Sequence, residues 1–212
     1  KKVKSGKYTM VVDYLNVTQL GNPLLSALLG SALQQKNSFL LDKLGQKVVS
    51  DKLTLRDEPH LVGASGARYF DAEGVATEPR AIFEEGVLKT YFIDTYNAKK
   101  MEVEPTISSP SLLVMKPGSK DLNGLIADVK NGILVTGFNG GNCNSSTGDF
   151  SYGIEGFLIE NGKLTQPVNE MNITGNMLTL WNSLVAIGND APDNRSWRIP
   201  SLVFEGVNFS GL

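Results

Sequence analysis

Few side chains in this sequence could bind a metal or attack a carbonyl. Zinc and related ions need histidine, cysteine, aspartate or glutamate converging at fixed spacing. Only one histidine, His60, and one cysteine, Cys143, are present, in unrelated segments. His60 follows Arg56-Asp57-Glu58-Pro59 and reads as a turn or strand-start residue, since one imidazole seldom makes a zinc site. Cys143 stands in a polar Asn-Gly stretch without a histidine nearby, which suits a free, non-catalytic thiol. Asp71 and Glu73, in Phe70-Asp71-Ala72-Glu73-Gly74, would share one face of an extended segment. Close carboxylates can split their pKa values and serve as acid and base, but two acidic residues ahead of a glycine more often form a turn. Ser65, in Gly63-Ala64-Ser65-Gly66-Ala67, matches half of a nucleophile elbow and lacks the closing glycine and the strand–turn–helix frame. Gly137 to Gly141 lacks the lysine and helix start of a phosphate loop. Taken alone, none of these groups defines a reaction.

The elements that must position them are mostly strands. Tyr152 to Glu160 and Lys163 to Val168 flank Asn161-Gly162, a pair that tolerates positive φ at both turn positions and is the strongest short-range hairpin signal. Glu84-Glu85-Gly86 predicts a second hairpin between Ala81-Ile82-Phe83 and Val87-Leu88. Lys7 to Val12, Arg68 to Phe70, Val87 to Asp94, Ser111 to Lys116, Ile133 to Phe138 and Ser201 to Phe209 are further strand-like runs. Gly137 to Ser146 is expected to be a loop. Asn22 as cap and Pro23 at the first helical position open a predicted helix, with Leu24, Leu25, Leu28, Leu29, Ala32 and Leu33 at helical steps as far as Gln35. A second helix is expected from Lys120 to Lys130, stopped by Gly132, and a third from Met177 to Val185. Short strands joined by tight turns imply an α+β fold, predominantly antiparallel sheet with two or three helices, in a single domain over residues 1–212.

Composition narrows the function classes. The chain has 20 basic and 22 acidic residues, so it lacks the basic excess that phosphate tracking needs, and nucleic acid is not an expected partner. The clusters Lys1-Lys2-Val3-Lys4 and Lys99-Lys100 read as solvated faces. A single cysteine cannot form an internal disulfide. No run approaches the roughly 20 apolar residues of a membrane span, and Asp13 interrupts the apolar run from Tyr8 to Leu15, so no secretory signal is expected. The cytoplasm is the expected location. The chain begins at Lys1 rather than methionine, as an excerpt of a longer protein would.

The hairpin string from Ser146 to Val168, continued by Asn169-Glu170-Met171-Asn172-Ile173-Thr174-Gly175-Asn176, resembles the C-terminal domain of the TldD/PmbA (TldE) proteins. These form a two-subunit metalloprotease once labelled a modulator of DNA gyrase. The likeness runs in order through nearly the whole chain: Ser5 to Tyr8, Ser38 to Val48, Phe70 to Val75, Gly86 to Leu88, Tyr96 to Lys100, and Val185 to Asp190. The run Ser38 to Val48 resembles the PmbA (TldE) branch specifically.

In the TldD branch a helix carries His-Glu-x-x-x-His, and a cysteine near the C-terminus is a third zinc ligand. Residues five apart stand about 140° apart on an ideal helix, so that motif implies a locally altered turn. By resemblance, the matching positions here are Ser26, Ala27 and Ser31, and the segment Ala191 to Pro200 holds no cysteine. Serine is a poor zinc ligand, and alanine cannot move a proton. The resemblance therefore implies a zinc-less, non-catalytic PmbA/TldE-type subunit without metal or catalytic residues of its own. Its partner would be a TldD-type catalytic subunit holding the zinc, and its substrate an unfolded or extended peptide bound by strand addition. Asp71, Glu73 and Asn142 are the candidate peptide or partner contacts. The resemblance also implies an upstream domain of comparable size. The alternative is a β-rich peptide- or ligand-binding module with no protease partner, marked by an open sheet edge or exposed aromatic platform.

Overall fold

A computed structural model describes residues 3–211. Lys1 and Lys2, part of the expected basic face, lie outside the described residues. In chain order the elements are β1 (Gly6–Val12), α1 (Thr18–Ser26), α2 (Gly30–Gln34), β2 (Leu55–Asp57), β3 (Arg80–Glu84), β4 (Val87–Leu88), α3 (Thr95–Met101) and β5 (Leu113–Met115). There follow α4 (Leu122–Ala127), β6 (Asn131–Cys143), β7 (Asp149–Glu160), β8 (Lys163–Asn176), α5 (Met177–Asn182), β9 (Leu184–Ile187), β10 (Trp197–Arg198) and β11 (Leu202–Gly211).

Strands β1, β6, β7, β8 and β11 pair in that order, and β1 pairs back onto β11, so five strands close a barrel with β9 added outside β11. A second sheet has the order β10-β5-β2-β3-β4. The mostly β, α+β expectation holds, but the sheets are not antiparallel throughout. β1 runs parallel to β6, and β10 parallel to β5. Five helices, rather than two or three, occur among the described residues.

The run Met10-Val11-Val12 explains why β1 sits at the closure. All three side chains are buried. Met10 and Val12 join the main core, whereas Val11 packs with Leu134, Val203 and the α4 residues Leu125 and Ile126. A strand covered on both faces loses the alternation of a half-solvated one. The main core also takes in Leu20, Leu24 and Leu28 of the first helical segment with Ile82, Phe83 and Leu113 of the second sheet.

Both predicted hairpin turns form. Asn161 (φ 50) and Gly162 (φ 77) link β7 to β8, and Glu85 (φ 47) and Gly86 (φ 81) link β3 to β4. The Gly137–Ser146 loop does not. β6 continues to Cys143, paired to β7 with register shifts between Val135 and Gly137 and between Asn139 and Gly141. The glycines serve as bulges in a long strand, and the turn falls at Asn144–Gly148. Arg68 to Phe70 makes only an isolated bridge, Phe70 to Ala76, and the strand expected to reach Asp94 stops at Leu88.

The helices differ more. α1 begins at Thr18, so Pro23 lies inside it and Asn22 is not its cap. Asp13 starts the turn instead: its carbonyl accepts from Asn16 and Val17 N–H, and its Oδ1 accepts from Asn16 N–H at 3.0 Å. The expected helix from Pro23 to Gln35 is two helices, with Leu29 extended between them (ψ 140). There the backbone pairs with another segment: Phe92 N–H donates to Leu28 O, and Gly30 N–H donates to Phe92 O at 2.7 Å. α4 ends at Ala127, and Gly132 belongs to β6 instead of marking a stop. α5 ends at Asn182 because Leu184–Ile187 is taken into β9. α3 was not expected; Asp94 caps it by accepting from Asn97 N–H, and Glu102 ends it at φ 57.

Gly156 marks the tightest strand crossing. A Cβ on it would stand 1.8 Å from Leu134 O, whereas one on Gly140 (φ +68) would meet open space. Gly156→Ala is expected to lower unfolding free energy by about 2–3 kcal/mol through overpacking, and Gly140→Ala by about 1 kcal/mol through left-handed strain alone. Urea unfolding of the two variants measures the difference.

Candidate functional site

The break at Leu29 turns α1 and α2 so that both face the far end of β6 across a cleft of about 490 Å³. Ser26, the last residue of α1, and Ser31, in the first turn of α2, both line it, with Ala27 between them. Asn142 and Cys143 of β6 and Tyr152 of β7 line the opposite side. Three of the positions singled out from sequence thus meet Asn142 in one place. Ser26, Ser31 and Asn142 are exposed, and Ala27 is buried. The Ala27 carbonyl accepts from Ser38 Oγ at 2.6 Å, and Ser38 Oγ accepts from Leu40 N–H at 3.0 Å. This tethers the segment that follows α2. Phe39 N–H donating to Ser145 O, and Ser146 Oγ donating to Asn37 Oδ1, fasten the same segment to the β6–β7 turn. The cleft walls are therefore joined at one end.

No lining side chain is charged at neutral pH; amides, hydroxyls and a thiol supply the polar groups. Cys143 is a free, half-buried thiol. Burial pushes its pKa up, and the Asp149 carboxylate adds to the effect, so it remains a thiol. Tyr152 was not expected in a site. It alternates with Phe150 and Ile154 as an inward residue of β7, and that pattern is indistinguishable in sequence from ordinary core. Its ring stacks on Phe150 (centroids 5.4 Å apart) and meets Phe138 edge-on.

One edge of β6 is open here. β1 pairs with β6 only as far as Val12 opposite Val135, and Asn16 Nδ2 then donates to Thr136 O at 2.9 Å. From Gly137 to Cys143 the strand keeps β7 on one side, and among the described residues no other strand pairs with it.

Asp71 and Glu73 lie outside the cleft. Asp71 is buried; its Oδ1 accepts from Glu73 and Val75 N–H, both at 2.9 Å, and its Oδ2 from Ser108 N–H at 3.1 Å. Burial alone would raise its pKa, but these hydrogen bonds prevail and hold the carboxyl below its ordinary value. Glu73 accepts from Thr95 N–H at 2.9 Å and Thr95 Oγ1 at 2.8 Å, at the start of α3. The two carboxylates thus organise a turn and a helix entrance. His60 is exposed, 3.1 Å from Thr77 Oγ1 and tilted against Tyr69. Ser65 stands in a run of turns with no strand or helix around it.

Among the described residues, no three His, Cys, Asp or Glu side chains converge as a metal site. In the cleft the donors are hydroxyls, amides and one protonated thiol, a set that does not fit zinc.

A closed barrel whose β6 edge faces an interrupted helix across a cleft defines a type of domain before it defines an activity. The chain belongs to the family described as PmbA/TldA metallopeptidase C-terminal domain, whose model matches residues 5–211. Over its full length it is 30% identical to metalloprotease PmbA of Escherichia coli O157:H7, covering 47% of that protein. A metalloprotease TldD homolog of Haemophilus influenzae matches 69% of the chain at 30% identity, over 33% of its own length. Among solved structures, a Bacteroides thetaiotaomicron protein described as a candidate modulator of DNA gyrase superposes with a TM-score of 0.99 at 76% identity, over 100% of this chain and 48% of that one. TldE of Thermococcus kodakarensis superposes with a TM-score of 0.90 at 25% identity, over 100% of this chain and 52% of its own. The chain spans about half the length of the curated PmbA-type relatives it matches. No helix among the described residues is long and apolar enough to cross a membrane.

Asp71 gives a pH test. A carboxylate held below its ordinary pKa contributes stability above the unfolded value, near 3.8, and loses it as pH falls through the lower folded value. Asp71→Asn should destabilise the chain by about 1–3 kcal/mol at pH 7, since an amide nitrogen would replace an acceptor. That deficit should shrink steadily below about pH 4. Denaturant titrations of both proteins from pH 7 to pH 3 measure it.

Proposed function

We propose that this chain is the zinc-less, non-catalytic part of a TldD/TldE-type heteromeric metalloprotease that acts on unfolded or extended peptides. One observation carries the reading. The positions resembling the TldD zinc helix are Ser26, Ala27 and Ser31, and they reach a common cleft with hydroxyls and a methyl group in place of imidazoles and a carboxylate. Family membership supports the wider setting, as does the likeness to proteins named PmbA, TldD and TldE. Zinc is expected in a TldD-type partner. This chain would contribute cleft walls, partner contacts and exclusion of folded substrates. A peptide strand would add along β6 from Gly137 to Cys143, with main-chain hydrogen bonds supplying affinity for extended segments. The cytoplasm is the proposed location.

The open edge of β6 also suits a peptide-binding module that works without a protease partner. Co-expression separates the two readings. Under the first, the purified chain contains substoichiometric zinc and cleaves no peptide alone, but co-purifies with a TldD-type subunit into a complex that cleaves an unfolded peptide. Tightly held zinc at one per chain, or peptidase activity of the isolated chain, overturns it. The second reading predicts peptide capture with no TldD-type partner retained.

The triple variant Ser26→His, Ala27→Glu, Ser31→His is expected to remain inactive alone. The segment Ala191 to Pro200 holds no cysteine to act as the third ligand, and three are the usual minimum for catalytic zinc. Because the Cys143 thiol lines the same cleft, the variant is made together with Cys143→Ser. Zinc titration followed by a peptide assay of the variant checks this.

A further inference from the structure

The cleft has an uncharged, amide-rich lining that its lack of metal ligands does not explain. Its polar lining includes five carboxamides, on Gln19, Asn22, Gln35, Asn37 and Asn142, and no ionised side chain. Carboxamides both donate and accept, as does a peptide main chain. They cannot pair with a charge of either sign, so a charged side chain packed against them gives up part of its water without gaining an ionic partner.

Tyr152 is an independent pointer to a ligand. The residue is 2% exposed, yet it lines the cleft. Its hydroxyl is not one of the sealed polar atoms without a partner, which are Trp181 Nε1 and Arg198 Nε. It opens onto the cleft, where it is free to donate to a group that enters. Burial, and then the nearby Cys143, push its pKa up to about 12, so the hydroxyl keeps its proton and remains a donor. The unpaired edge of β6, Gly137 to Cys143, runs along the same cleft through Gly141, Asn142 and Cys143.

We propose that the cleft binds an extended peptide segment selected for uncharged side chains, with the Tyr152 hydroxyl donating to a peptide carbonyl. This rests on the reading of the chain as a peptide-engaging subunit and adds which peptides it admits. Lysine and glutamate are excluded alike, because the lining offers neither sign of charge.

The test uses capped hexapeptides of alanine, serine and valine (N-acetylated, C-amidated), with single Lys or Glu replacements at a central position. Binding is measured by fluorescence anisotropy to the chain alone and to its complex with a TldD-type subunit. The neutral peptide should bind, and either charge should weaken it about tenfold or more. Tyr152→Phe, which keeps the stacking ring, should weaken the neutral peptide about fivefold with an unchanged melting temperature. Asn142→Asp, at an exposed position, should recover binding of the Lys peptide and not of the Glu peptide. Equal affinity for all three peptides, no binding of any, an unaffected Tyr152→Phe variant, or preference for a neutral oligosaccharide each overturns the proposal. Zinc content and co-purification, measured on the same samples, report separately on the subunit reading. A flat peptide series with an intact complex defeats only the selectivity.

Discussion

The placement of β1 between β6 and β11 is the constraint on which the rest of the molecule depends. Its central residues are opposed on both sides, Met10 by Ile133 and by Phe204. Its two faces serve different cores, one beneath α4 and one shared with the second sheet. A closed barrel has no edge to defend against other chains, and here closure is complete only along the length of β1. Where β1 stops, at Val12, β6 continues alone with β7, and the chain turns through Asp13 into α1. The same strand end therefore leaves an exposed edge and delivers the helix that faces it.

The cleft follows from a second competition between backbone partners. Leu24, Leu25, Leu28 and Leu29 keep helical spacing, so local pattern favours one continuous helix. Phe92 instead takes the Leu28 carbonyl and receives the Gly30 N–H. Nearby, Gly30 lets the backbone approach α3: a Cβ there would lie 3.1 Å from Asn97 Cβ. The outcome is a sharp re-aiming of the chain between Ser26 and Ser31, which brings both into one cleft although they stand five positions apart. Both present hydroxyls to it.

Legibility in the sequence followed how local each determinant is. The turns at Asn161-Gly162 and Glu85-Gly86 were readable because the residues that tolerate positive φ are the signal themselves. The runs Lys7–Val12 and Ser201–Phe209 were readable as strands, since β-branched and aromatic residues dominate them. Their pairing with each other, nearly two hundred residues apart, left no local trace. The start of α1 was misplaced because Asn22-Pro23 carries a strong local capping pattern, while the true turn is made by Asp13 well upstream. The bulged strand of Gly137 to Cys143 looked like a loop because glycine and asparagine mark both. Within the cleft, Ser26, Ala27 and Ser31 were singled out by family resemblance, and Asn142 only as a candidate contact. Tyr152 was invisible because an inward aromatic at period two looks like core wherever it occurs.

The antiparallel union of β1 with β11 has a consequence for synthesis. Met10 leaves the ribosome long before Phe204, its partner in the finished barrel. At about 5–20 residues per second, on the order of ten to forty seconds separate the two. Through that interval the Met10-Val11-Val12 run is an apolar strand without its final neighbours, a template for mispairing. Cotranslational order thus leaves exposed, for that interval, the same three residues that the mature barrel hides completely.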